Sequence, residues 1–250
     1  MLTERAQKNL EEMFPHRASP LAQTDPELTA LFANLAFDEA LEEKAIDRRT
    51  RVMAQLAALI AVQGMTEFKV LLDGALTIGV TPVEVKEVVY QAVPYVGFGK
   101  VIDFIHAINA ALTARGIALP LSDQSTTTRD TRASRGFAVQ AEVIGLERAS
   151  GMKASMPADQ AHIADLLAAN CFGDHVARGG IDLRTRELLT LSMLAAQGGC
   201  DAQVRGHVAG NLNVGNDRAT LIELVTLLLP FIGYPRALNA LAAINDIAKD

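Results

Sequence analysis

Apolar residues recur along this chain at intervals of three and four, the period of one face of an α-helix. No stretch shows the strict alternation of a half-buried strand. Residues 48–62 carry Val52, Leu56, Leu59 and Ile60 in that rhythm, and residues 183–197 carry Leu188, Leu191, Leu194 and Ala195. Asp47 and Asp182 stand where helix-capping side chains belong. Gly64 and the Gly198–Gly199 pair are placed to end these two helices. Shorter helices are expected over 66–78 and 201–214, closing at Gly79 and Gly215. TPVE at 81–84 then supplies a capping Thr81, Pro82 at the first helical position and Glu84 at the third, three start signals that agree. DRAT at 217–220 keeps the cap without the returning carboxylate. The helices that follow, 82–93 and 218–229, are expected to stop at their prolines, and final helices cover 98–115 and 234–248. Residues 2–13, 26–44, 129–145 and 157–178 complete the helical pattern.

The order of these elements repeats. IDRRTR at 46–51 returns as IDLRTR at 181–186, DGAL at 73–76 as AGNL at 209–212, and PYVGF at 94–98 as PFIGY at 230–234. The offset is 135 at the first match and 136 afterwards, as for Asn109 and Asn245, so the second copy holds one extra residue near 198–203. An ordered series at nearly constant spacing marks duplication. The expected fold is all-α, a tandem duplication with units at 1–120 and 121–250. The Ser/Thr/Pro-rich segment 116–128 reads as a flexible join.

Composition narrows the functional classes. Half of the 250 residues are hydrophobic and 21% charged, which places the chain among globular proteins. Twenty-three basic against 29 acidic residues, no Trp and 5% aromatics argue against a nucleic-acid surface. The apolar runs are interrupted before membrane-spanning length, and the opening MLTERAQKNLEEMF lacks a signal-peptide pattern. No membrane partner and a cytoplasmic location are therefore expected. Cys171 and Cys200 make neither a disulfide framework nor a C-x-x-C motif.

Candidate chemistry is confined to the second copy. Glu187 falls in the first turn after Asp182, on the face of Leu191 and Leu194, and His207 occupies the next helix with Cys200, Val204 and Asn211 at helical intervals. The first copy has Val52 and Leu71 at the matching positions. An imidazole exchanges protons near neutrality, and a buried carboxylate can hold its tautomer or act as acid or base itself. The same residues would suit a hydrogen-bonded polar pocket with no catalysis. Cys200 could pair with His207 two turns on as a nucleophile, or be a small boundary residue. Arg205 is the substrate-side candidate for an anion, and Asn211 could bind substrate or orient the imidazole. Arg49, Arg51, Arg184 and Arg186 recur in both copies, which favours structural pairing. Cys171, His175, Cys200 and His207 are a weak metal set, and His16, His106 and His162 have no evident partners. Gly97–Gly99 and Gly206–Gly210 lack the preceding strand of a dinucleotide site. Tyr95/Phe98 and Phe231/Tyr234 read as a core or interface corner.

These residues carry a resemblance. IDLRTRELLTLSMLAA at 181–196, RGHVAGNLNVG at 205–215 and LLPFIGYPRALNAL at 228–241 resemble the carboxymuconolactone decarboxylase family, whose superfamily includes AhpD-like peroxidases. TRASRGFAVQAEVIG at 131–145 and LLDGALTIGVTPVEVKEVVYQAVPYVG in the first copy extend the likeness over nearly the whole chain. It implies a helical fold assembled in rings, here a homotrimer with six pseudo-equivalent units. It also implies decarboxylation of a small anionic lactone without metal or organic cofactor, with Glu187 and His207 at the acid and histidine positions. The peroxidase branch uses two cysteines three apart. Cys200 matches the first, but Gln203 replaces the second. A thiol-dependent peroxidase and a non-catalytic scaffold remain the alternatives.

Overall fold

A computed structural model describes residues 1–15, 19–41 and 45–249. Their regular structure is helical, without a strand: α1 (Glu4–Met13), α2 (Leu21–Thr24), α3 (Pro26–Phe37), α4 (Arg48–Ala61), α5 (Met65–Thr77), α6 (Pro82–Val96), α7 (Phe98–Ala114), α8 (Arg132–Ile144), α9 (Leu146–Ser155), α10 (Ala161–Leu166), α11 (Leu183–Gln197), α12 (Asp201–Asn213), α13 (Arg218–Ile232) and α14 (Tyr234–Ile247). A 3₁₀ turn covers Glu39–Leu41, and α10 continues as a π-helix through Leu167–Val176. The all-α expectation holds. His16 lies outside the described residues, as does the end of the expected helix 26–44.

Local chemistry sets the helix starts. Asp47 accepts from the backbone N–H groups of Arg49 and Thr50, and Asp182 from that of Thr185. Thr81 and Glu84 form the reciprocal capping box. Asp217 caps α13 through the N–H and hydroxyl of Thr220, which hold its exposed carboxyl below the usual range. Asp217→Ala should cost about 1 kcal/mol at neutral pH. Because the folded pKa is depressed, that contribution is present above the unfolded carboxyl pKa and lost as pH falls through the folded value. Melting curves of the two proteins should therefore converge in acid; a gap that persists there would show that the carboxylate is not the cap.

Several ends differ from expectation. Helices α6 and α13 run through Pro94 and Pro230 to Val96 and Ile232. A proline so close to a helix end removes one backbone donor without breaking the earlier turns. The carbonyl that Pro94 leaves without its helical donor belongs to Tyr90, and the His175 imidazole sits against it; burial keeps His175 below the ordinary histidine range. At the end of α4 it is Gln63, with φ 60°, that takes the left-handed conformation, while Gly64 at −81° opens α5. The join over 116–128 is pinned to the second unit: Gln124 O accepts from Gly179 N at 2.8 Å, and Thr126 and Thr127 donate to the carbonyls of Ala177 and Gly173.

The two copies interlock. Helices α4 and α11 pack on each other at the centre, with α13 of the second copy covering α4 and α6 of the first covering α11. One hydrophobic core contains Leu56, Leu71 and Phe104 from one copy together with Leu189, Met193 and Leu224 from the other. A smaller core under α8 holds Val139, Val143, Cys171 and Phe172. There α8 and the π-helix touch backbone to backbone, since a Cβ on Gly136 would lie 1.9 Å from Ala168 O.

A buried polar network crosses the same seam. Arg186, with its side chain 1% exposed, donates to Glu87 Oε2 and Gln91 Oε1 at 2.9 Å each and to the carbonyls of Ile181, Arg178 and Gly179. Arg178 grips the other side of the Glu87 carboxylate at 3.0 Å. Gln91 returns bonds to Arg186 O and Thr190 Oγ1. The first copy's Arg51 and the second copy's Glu223 occupy the mirrored positions, where the carboxylate's charge acts on the guanidinium.

Candidate active site

Position Glu187 first. Its helix α11 is the buried central rod, and Glu187 itself is fully buried. Oε2 lies 2.8 Å from His207 Nδ1 on α12. A proton held between Nδ1 and Oε2 bridges the pair and leaves Nε2 as the ring nitrogen outside this contact. The His207 side chain is 14% exposed, so the pair is sheltered but not sealed. Glu187 Oε1 is buried without a hydrogen-bond partner, an uncommitted acceptor beside the imidazole.

Close helix approach makes this contact possible. A Cβ on Gly210 would stand 2.9 Å from both Glu187 Oε2 and Val143 Cγ1. In the first copy the equivalent Gly74 makes room instead for the Phe14 ring. Gly210→Ala must push the carboxylate or α8 aside. It should cost about 1–3 kcal/mol, visible in a melting curve, and reduce any activity of the site. Unchanged stability and rate would show that the pocket gives way freely.

The other sequence candidates fall elsewhere. Asn211 is fully buried and donates to the backbone carbonyls of Glu187 at 3.0 Å and His207 at 2.7 Å, while its own oxygen accepts from Asn216. It ties α12 to α11 and has no free amide hydrogen for a substrate, so the orienting role fits and the binding role does not. Arg205 pairs with Asp246 at 2.7 Å on an exposed face. Residues two apart on a helix diverge, which separates it from the imidazole. Cys200 precedes α12 and directs its thiol at Leu194 O, 3.3 Å away. Burial, then the charge of Asp201, pushes its pKa up, against a thiolate nucleophile. Arg184 binds Asn216, and Arg186 the inter-unit carboxylate, as structural pairing predicts. His106 and His162 are exposed. Among the described residues no three His, Cys, Asp or Glu side chains converge as a metal-ligand set.

One residue not singled out for chemistry joins the pair. Tyr95, from the first copy's α6, sets its ring edge-on to His207 at 5.7 Å between centroids. Its hydroxyl is buried near Thr190 and Cys171, without a hydrogen bond of normal geometry. Burial, then the nearby Cys171 and Glu187, raises the phenol pKa well above the usual value, so it stays protonated. Cys171 is pushed up to about 12, chiefly by burial, and is no nucleophile. A sequence signal for Tyr95 existed: its repeat counterpart is Phe231, which packs on Phe32. The hydroxyl occurs only in the copy that faces an imidazole.

The chain is thus an all-helical tandem duplication in which, among the described residues, the second copy carries the carboxylate–imidazole pair. The carboxymuconolactone decarboxylase family model matches twice, over residues 26–111 and 161–246. The chain belongs to that family, as two fused units. No curated protein matches the sequence. Among the described residues no helix is long and apolar enough to cross a membrane.

Proposed function

We propose that the protein is a cofactor-independent carboxy-lyase, or a closely related lyase, acting on a small carboxylated lactone at His207. The observation that carries this reading is the 2.8 Å Glu187–His207 contact, sheltered, offset by hydrocarbon at Val52 and Leu71 in the other copy, and met by a tyrosine from that copy. Family membership supports chemistry of this kind. The raised pKa values of both cysteines weigh against the thiol-peroxidase alternative.

The reaction breaks the bond between a ring carbon and its carboxylate. Carbon dioxide leaves, and the electron pair stays on the substrate, spread toward the lactone carbonyl. A proton from His207 Nε2 then quenches it on carbon. Glu187 stabilises the imidazolium form and holds the ring's orientation. The Tyr95 ring stands edge-on to the imidazole as one wall of the site. On this reading residues 1–120 form the unit without the pair and 121–250 the unit that bears it.

Incubating the purified protein with γ-carboxymuconolactone in deuterium oxide should release carbon dioxide and place one deuterium on product carbon. If neither gas nor substrate loss is detected, the scaffold reading gains and the lyase reading falls. A homotrimer is part of the proposal. Phe98 and Tyr234, repeat equivalents, are both about three-fifths exposed at 59% and 61%, as ring contacts between units would require. A monomeric mass by light scattering would remove it.

A further inference from the structure

A cleft of about 430 Å³ lies away from His207, between α6, α7 and the join that connects the copies. Neither His207, Glu187 nor Tyr95 lines it. Its floor is the Tyr90 ring, with the Arg178 guanidinium 5.1 Å and the Lys86 ammonium 5.9 Å from the ring centroid. Leu119, Pro120 and Gln124 of the join form one wall. We propose that this cleft binds a small monocarboxylate with an apolar body.

Charge accounting supports an anion. Arg178 and Arg186 share the Glu87 carboxylate, and Asp123 lies 3.8 Å from Arg178, so two carboxylates answer these two guanidiniums. Lys86 is bonded to the neutral Asn109 amide oxygen and has no carboxylate partner among the described residues. Burial pushes its pKa below the ordinary lysine range, as expected of an ammonium without a counter-ion. One carboxylate would complete this site. A doubly charged phosphate would find only that single uncommitted cation, with the Glu87 and Asp123 carboxylates in the same lining. Tyr90, Leu119 and Pro120 supply the apolar part of the lining, which suits an apolar body behind the carboxylate.

The repeat makes the feature specific. Positions 222 and 226, which correspond to Lys86 and Tyr90, hold isoleucine and threonine, so the second unit has no such cation or ring. The join exists once per chain. Each chain therefore offers one cleft, and it is found beside the unit that lacks the imidazole.

Benzoate is a suitable probe, measured by equilibrium dialysis against the intact protein. Saturable binding near one equivalent per chain is expected, weakened about tenfold or more by Lys86→Met, which keeps the stem and removes the charge. His207→Gln should bind as the wild type does, and equimolar inorganic phosphate should not displace the ligand. In the wild-type protein, benzoate should also shield Lys86 from acetylation, a readout independent of any variant's folding. Absent saturation, unaltered binding by Lys86→Met, loss in His207→Gln, displacement by phosphate or unprotected Lys86 would each overturn the assignment.

Discussion

Replacing His207 with Gln should leave the fold intact and lower turnover of a carboxylated lactone by about 10²–10⁴-fold, the usual range for a lost proton-transfer group. Glutamine is close in size and can still donate to Glu187 Oε2, so the buried carboxylate keeps a partner. What disappears is a nitrogen that exchanges a proton near neutrality. Steady-state rates with a melting curve alongside separate the two effects. A variant that retains the wild-type rate would remove His207 from the chemistry, whatever its stability. Tyr95→Phe is informative beside it, because it imposes on this pocket the residue that the repeat has at 231.

The largest stability loss is expected at the seam. Glu87→Ala removes the single carboxylate between Arg186 and Arg178, whose side chains are 1% and 15% exposed. Stripping one partner from a buried ion pair typically costs about 3–5 kcal/mol, since the remaining charge is left without compensation. Chemical denaturation should show a fall of that size. By contrast, Arg205→Ala breaks an exposed pair and should change stability by no more than about 1 kcal/mol. A Glu87→Ala loss as small as that would mean water reaches the guanidiniums.

Features governed by near neighbours were legible in the sequence. Asp47, Thr81 and Asp182 cap where their spacing placed them, because a cap needs only two or three adjacent residues. The Glu187–His207 contact was visible through its contrast with Val52 and Leu71, hydrocarbon marking the same internal place as dry. Direction around a helix separates the neighbours of His207: Arg205, two residues away, faces solvent, while Asn211, one turn on, holds the backbones of α11 and α12 as the orienting alternative expects. Proline was over-read as a terminator at 94, where His175 comes to the orphaned Tyr90 carbonyl. The π-helix has no periodic signature that apolar spacing reveals, and the Gly136–Gly173 approach that accompanies it is a long-range fact. Tyr95 was missed for a related reason. Its meaning depends on which residue of the other copy it meets.

That dependence gives the covalent connection a consequence. Were the two halves separate polypeptides, like could pair with like, and some histidines would face the phenylalanine that corresponds to Tyr95. Tethering forbids such mismatches. Every molecule carries both complementary halves at fixed stoichiometry.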